Sequence, residues 1–305
     1  MPKKYFTYII ILAVVALSAC SSKESLIRFK AIYLDLDGTT LASNDKPRAA
    51  TLEILERYRN CGGKVGIITG RTLPRMKMYL DDIKPNLPLV LYNGGVVYDA
   101  SGSDLMYKGE FDDLELVNII LSMKDEKGVH AVFANYVERP IVNRSDPWVE
   151  EVFGKIDENN LCPNIEGCVK AEAVIKKELP IKFMYAVETN DVELVATKIR
   201  KVVRDKARVV VSSPVSVEIL PIGVDKGITL MKVIQDEGLK PDDVAIFGDS
   251  GNDTNMVGEF PVSMAMGNCR QSTCDAALFK IGNNDTDAIA RVIERLVLLE
   301  NCRIN

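Results

Sequence analysis

The stretch AIYLDLDGTTL, residues 31 to 41, constrains the fold more than any other part of the chain. Ile32, Tyr33, Leu34 and Leu36 are apolar, aromatic or β-branched, the composition of a strand buried on both faces of a parallel sheet. Asp35 and Asp37 do not belong inside such a strand. They fit at its end, where the chain turns at Gly38 and side chains emerge at the carboxyl edge of the sheet, the edge at which open α/β sheets bind ligands.

Three more segments have the same form. KVGIITGR is an apolar run with Thr69, Gly70 and Arg71 at its tip, LPLVLYNGG ends at Asn93, and DVAIFGDSGNDTNM runs into Asp249, Asn252 and Asp253. KPRAATLEILERYRNCGG, between the first two runs, has the apolar spacing of an amphipathic helix stopped by paired glycines. A strand, helix and strand in that order predict a right-handed crossover and a parallel, Rossmann-like α/β sheet.

The pattern is interrupted once. VVYDASGSDLMYKGEF reads as a hairpin, and from 112 to 207 helices alternate with strands that lack the fully buried composition. This stretch carries Trp148, the only tryptophan, and reads as an inserted second α/β domain. The core pattern is expected at 28–111 and 208–305. Its second half reads as the hairpin RVVVSSPVSVEILP, the helix DKGITLMKVIQDEGL, two further strands and a closing helix with Asp285 as N-cap.

The first residues differ from the rest. Lys3 and Lys4 precede an uncharged run from Tyr5 to Ala19 that closes in LSAC, residues 17 to 20. A basic start, a short apolar stretch and small residues before a boundary form an export signal. Residues 17–20 resemble a bacterial lipobox, which makes 1–19 a signal peptide, Cys20 the lipidated first mature residue, and 20–27 a polar tether. An uncleaved signal anchor and a start assigned too early are the alternatives. The expected location is therefore extracytoplasmic, on a bacterial membrane through a lipid anchor, with a cytoplasmic enzyme as the alternative. Of the six remaining cysteines, Cys162 with Cys168 and Cys269 with Cys274 are the sequence-local disulfide candidates, beside the reading that all are free thiols. With one histidine and no C-x2-C spacing, a zinc site is not expected. The net charge of -5 without a block of like charges gives no footprint for a nucleic acid.

Asp35, Asp37, Asp249 and Asp253 at one sheet edge would repel each other without a cation. Mg2+ suits such a site, since it takes a few carboxylates, a carbonyl and waters while keeping phosphate oxygens as partners. A calcium loop of the EF-hand kind fails on spacing, because neither acidic run has its glycine in sixth place.

The motifs DLDGTT, ITGR, VDKG and GDSGND, in that order, resemble the four sequence motifs of the haloacid dehalogenase-like (HAD) hydrolase superfamily. The insert and the YNGG before it are similar to the Cof-type branch, which has an α/β cap of the C2 (IIB) kind. The resemblance implies a Mg2+-dependent phosphatase of small phosphate monoesters, sugar phosphates or phosphorylated cofactors. In that reading Asp35 is the nucleophile and Asp37 the acid and base, with its backbone carbonyl on the metal. Thr69 and Lys226 stabilise the transferring phosphoryl group, and Asp249 and Asp253 join Asp35 as metal ligands. Gly70, Arg71, Asn93 and Asn252 are candidates for phosphate or substrate contact. A phosphomutase-like phosphotransferase would share every core residue, and a non-enzymatic lipoprotein binding module is the third reading. The sequence sets no oligomeric state.

Overall fold

The structure is a computed structural model that describes residues 29–297. The expected signal peptide, lipobox and tether lie outside the described residues. Among the described residues, no helix is long and apolar enough to cross a membrane.

The core is a parallel sheet of five strands. β1 (Ala31–Leu34), β2 (Lys64–Ile67), β11 (Val244–Gly248), β12 (Ser263–Ala265) and β13 (Phe279–Lys280) lie in the order β13-β12-β11-β1-β2. β1 is central, in register with β11 through Leu34 and Phe247 and with β2 through Leu34 and Ile67. Every residue of β1 is wholly buried, as its uninterrupted apolar composition requires. β3 (Leu89–Leu91) continues the sheet through the parallel bridge Ile68 to Val90 and forms an antiparallel meander with β4 (Val96–Tyr98) and β5 (Leu105–Lys108). The helix Ala49–Asn60 supplies the crossover, burying Ile54, Leu55 and Tyr58.

Because β1, β2 and β11 run parallel, the residues that follow each of them open on one edge. Asp35, Thr69 and Asp249 come together there from distant parts of the chain.

The inserted domain is an antiparallel sheet in the order β7-β6-β8-β10-β9, comprising β6 (Val129–Asn135), β7 (Pro140–Val142), β8 (Lys182–Val187), β9 (Ala207–Ser213) and β10 (Ser216–Pro221). The helices Leu114–Leu121 and Val192–Val203 cover one face, burying Val117, Ile120, Val195 and Ile199. The hairpin at 207–221 therefore belongs to the inserted sheet and not to the core, where the expected boundary at 208 puts it. β10 pairs with β8 from Ser216 to Ile219, which extends the cap to Pro221. Its Val- and Ile-rich composition is that of any buried strand and does not say which sheet it joins.

Cys162 is bonded to Cys168 and Cys269 to Cys274. The closing helix starts at Ala288, and Asp285 does not cap it: its carboxylate accepts from the Ser43 amide and hydroxyl at 2.8 and 2.6 Å.

Candidate active site

Asp35 follows the last residue of the central strand, with its amide held by the Phe247 carbonyl at 3.1 Å and its side chain buried. Lys226 opens the helix Lys226–Asp236, whose first turn is fixed by Asp225 accepting from the Ile228 amide. From there its Nζ donates to Asp35 Oδ1 at 2.6 Å and to Asp253 Oδ1 at 2.7 Å, with no exposed side-chain surface. Burial alone would discharge the ammonium, but Asp253 and Asp35 hold its pKa above the ordinary lysine value.

Asp249 and Asp253 occupy a loop that folds on itself, with Asp253 Oδ2 accepting from the amides of Asp249 and Ser250 at 3.0 and 2.9 Å. Oxygens of Asp35, Asp249 and Asp253 lie within 4.8 Å of one another. Burial raises the Asp35 carboxyl well above its usual range, against the pull of Lys226. Asp249 is pushed up to about 7, by burial first and then by the charge of Asp253. Two buried carboxylates and the half-buried Asp249 against one ammonium form a hard-oxygen donor set with surplus negative charge, which a divalent cation would balance. The donor set therefore fits a metal ion.

Asp37 turns away from this cluster. Its carboxylate, more than half exposed, receives Arg71 Nε at 3.1 and 2.9 Å and Nη2 at 2.6 Å. Arg71 also reaches Asp45 at 2.6 Å and the Tyr79 hydroxyl at 2.9 Å, which commits its guanidinium to the protein.

A cavity of about 770 Å³ lies above Asp35 and Asp37, between core and cap. Gly70, Arg71 and Asn252 line it, whereas Asn93, Thr69 and Lys226, all buried, do not. Asn93 is buried at positive φ, with its amide nitrogen on Glu218 and its amide oxygen accepting from Asn252, so it braces the loops and does not face a substrate. Thr69 is likewise buried, its hydroxyl oxygen accepting from the Arg71 amide at 3.1 Å. The cap contributes the apolar Phe133, Phe153 and Met184 and the polar Asn135, Ser212 and Ser216 to the wall.

Sequence reasoning missed several partners. Thr39 donates its hydroxyl to Asp249 Oδ1 at 2.9 Å, and Thr40 donates to the Asp35 carbonyl at 2.6 Å. Their position directly after the aspartates was the available signal. Asp45, Tyr79, Lys182 and Glu218 carried none.

The chain matches the haloacid dehalogenase-like hydrolase family over residues 32–293. It is 25% identical over 270 residues to the 5-amino-6-(5-phospho-D-ribitylamino)uracil phosphatase YitU of Bacillus subtilis (strain 168), covering 86% of this chain and 96% of that protein. It is 25% identical over 276 residues to the pyridoxal phosphate phosphatase YbhA of Escherichia coli (strain K12), covering 87% and 97%. Among solved structures, that of the HAD subclass IIB sugar phosphatase BT4131 superposes with a TM-score of 0.75 at 20% identity, over 87% of this chain and 98% of the other. The motif order, the capped parallel sheet and the lysine-bridged carboxylates agree with these matches: the chain belongs to the haloacid dehalogenase-like hydrolases and is a phosphoric monoester hydrolase.

Proposed function

We propose that the protein is a Mg2+-dependent phosphatase of small phosphate monoesters that works through an aspartyl-phosphate on Asp35. The observation that carries this reading is Lys226 Nζ at 2.6 Å from Asp35 Oδ1, beneath a cavity whose floor also holds Asp37. The free oxygen of Asp35 attacks phosphorus, forming the acyl-phosphate bond as the bond to the leaving oxygen breaks. Asp37, once released from Arg71 and protonated, gives that oxygen its proton. Asp37 then takes a proton from water, which attacks the same phosphorus, releases orthophosphate and restores Asp35. Lys226, fixed between two carboxylates, neutralises charge without having to move. Mg2+, held by Asp35, Asp249 and Asp253 with the Asp37 carbonyl, would supply the remaining positive charge for the phosphoryl oxygens.

The wall supports esters whose leaving group has both a polar part and an apolar or planar one. Serines 212 and 216 with Asn135 suit hydroxyl groups, and Phe133, Phe153 and Met184 suit a ring. Sugar phosphates and phosphorylated cofactors are the classes to test, consistent with the substrates named for the relatives. The test is phosphate release from a monoester panel, with Mg2+ and with chelator, for the wild type and Asp35→Asn. Mg2+-dependent release that disappears in the variant supports the mechanism. Transfer to an added acceptor without free phosphate would replace it with a phosphotransferase, and absence of both would favour a binding module.

We also propose that the enzyme is exported and lipid-anchored through Cys20. The basic, apolar and LSAC segments support this, as do the bonded pairs Cys162–Cys168 and Cys269–Cys274, which suit an oxidising compartment. Fatty-acid labelling of the protein and of Cys20→Ala tests it; equal absence of label in both ends the idea.

A further inference from the structure

A buried ion pair from the cap is set into the core beside the site. Lys182, the first residue of β8, donates Nζ to Glu218 Oε2 at 2.7 Å and to the Gly70 carbonyl at 3.0 Å. Glu218, on β10, accepts the Asn93 amide on the same oxygen at 2.5 Å and the Ser212 hydroxyl on the other at 3.2 Å. Asn93 passes the contact on, its Oδ1 accepting from Asn252 Nδ2 at 2.8 Å. The two charged side chains are 4% and 7% exposed.

Adhesion does not account for this pair. Desolvating two charges roughly cancels their attraction, and apolar residues of similar size would hold two domains together as well. An apolar pair could not orient a carbonyl and an amide, and those are the groups engaged here. The Gly70 carbonyl shares a planar peptide with the Arg71 N–H, and that N–H is the donor to Thr69 Oγ1. Fixing one end of the plane fixes the other. The Thr69 oxygen is thereby engaged as an acceptor, which leaves its proton to be given to a phosphoryl oxygen. On the opposite side Glu218 sets Asn93, and Asn93 sets Asn252 in the loop that carries Asp249 and Asp253.

We infer that Lys182 and Glu218 are positioning residues for phosphoryl transfer: the docked cap, through them, sets the Thr69 hydroxyl and the acidic loop, so the transfer site is complete only when the cap sits on the core. This rests on the phosphatase reading above. It makes the cap a participant in rate as well as in the cavity wall, which Lys182 and Glu218 also line.

The test is kcat and KM for p-nitrophenyl phosphate with saturating Mg2+, and inhibition by orthovanadate, for the wild type, Lys182→Met, Lys182→Arg and Glu218→Gln. A misplacement of about an ångström costs roughly 100-fold in rate, so kcat in Lys182→Met is expected to fall by about that factor with KM little changed. Vanadate, which mimics the trigonal phosphoryl group, should weaken in parallel. Lys182→Arg, which keeps a donor, should recover part of kcat, and Glu218→Gln should lower kcat in the same manner. A raised KM at unchanged kcat would make Lys182 a substrate contact and overturn the inference, as would wild-type constants in folded Lys182→Met. If circular dichroism shows that Lys182→Met does not fold, the nearly isosteric Glu218→Gln decides by the same criteria. A wild type without turnover counts against the phosphatase reading alone. Vanadate binding by calorimetry then decides the positioning role, which equal affinity in wild type and variants would overturn.

Discussion

Lys226 Nζ lies 2.6 Å from Asp35 Oδ1 across 191 residues of sequence, and neither side chain has appreciable access to solvent. The contact joins the end of the central strand to the start of a helix in the other half of the core.

Removing that lysine leaves two buried carboxylates without their shared partner. Breaking one member of a buried pair costs about 3–5 kcal/mol, so Lys226→Met should lower the melting temperature clearly in chelator. Mg2+ should restore part of the loss while turnover stays absent. Thermal denaturation with and without Mg2+ measures both effects, and an unchanged melting temperature in chelator would contradict the electrostatic account.

Mg2+ stabilisation should grow with pH. Burial, with the charge of Asp253, pushes Asp249 up to about 7, well above the carboxylate value of an unfolded chain. With a folded-state pKa raised in this way, the metal-free folded protein binds the extra proton. The group's contribution to stability is therefore full below about 4, and is lost as pH rises through about 7. A cation needs the deprotonated form, so it binds better over that same range. The rise in melting temperature produced by Mg2+ should be small at pH 5.5, larger at 8, and strongly reduced throughout in Asp249→Asn.

Gly38 is the next sensitive position. Its φ is +74°, and a Cβ there would lie 2.4 Å from Asp249 Oδ2. Gly38→Ala adds about 1–2 kcal/mol of backbone strain and displaces the carboxylate. The variant should fold and require much more Mg2+ for half-maximal activity, as a metal titration would show.

The cap should report on its single histidine. His130 lies between Asp146 at 3.0 Å and Glu188 at 3.2 Å and stacks on Trp148 at 4.1 Å between ring centres. Burial works against its charge, but the two carboxylates raise its pKa above the usual 6.5. The stabilisation is therefore full below about 6.5 and is lost as pH rises through the higher folded value. Since Trp148 is the only tryptophan, its fluorescence should titrate above pH 6.5, quenched on the acid side where the imidazolium is in contact. His130→Gln should abolish the step.

The core was legible in the sequence because β1 and β11 carry no polar residue until they end, and β2 none after Lys64. Asp35, Thr69 and Asp249 stand out as the first polar residues after β1, β2 and β11. Lys226 was found through its motif, since nothing in its local pattern separates it from a surface lysine. Lys182 and Glu218 escaped because a charge within an alternating strand reads as solvent-facing, and only the docking of one domain on another buries it. Asn93 was misread for the related reason that a residue at a strand tip can turn inward as well as outward. The hairpin of β9 and β10 was assigned to the core because composition specifies burial and not the identity of the neighbouring strand.

The side-chain alternation of β8 and β10 has a consequence for the chamber wall. All of Lys182, Glu218, Met184 and Ser216 line the chamber, but Lys182 and Glu218 are tied to core loops, whereas Met184 and Ser216, two residues away on the same strands, make no hydrogen bond to the core among the described residues. Exchanges at Met184, together with Phe133 on β6, change the chamber wall without removing a hydrogen bond to the loops below, whereas Ser216 is joined to Glu218 through the Ser212 hydroxyl. Alternation along these strands therefore leaves the wall and its anchorage separable at some positions and coupled at others.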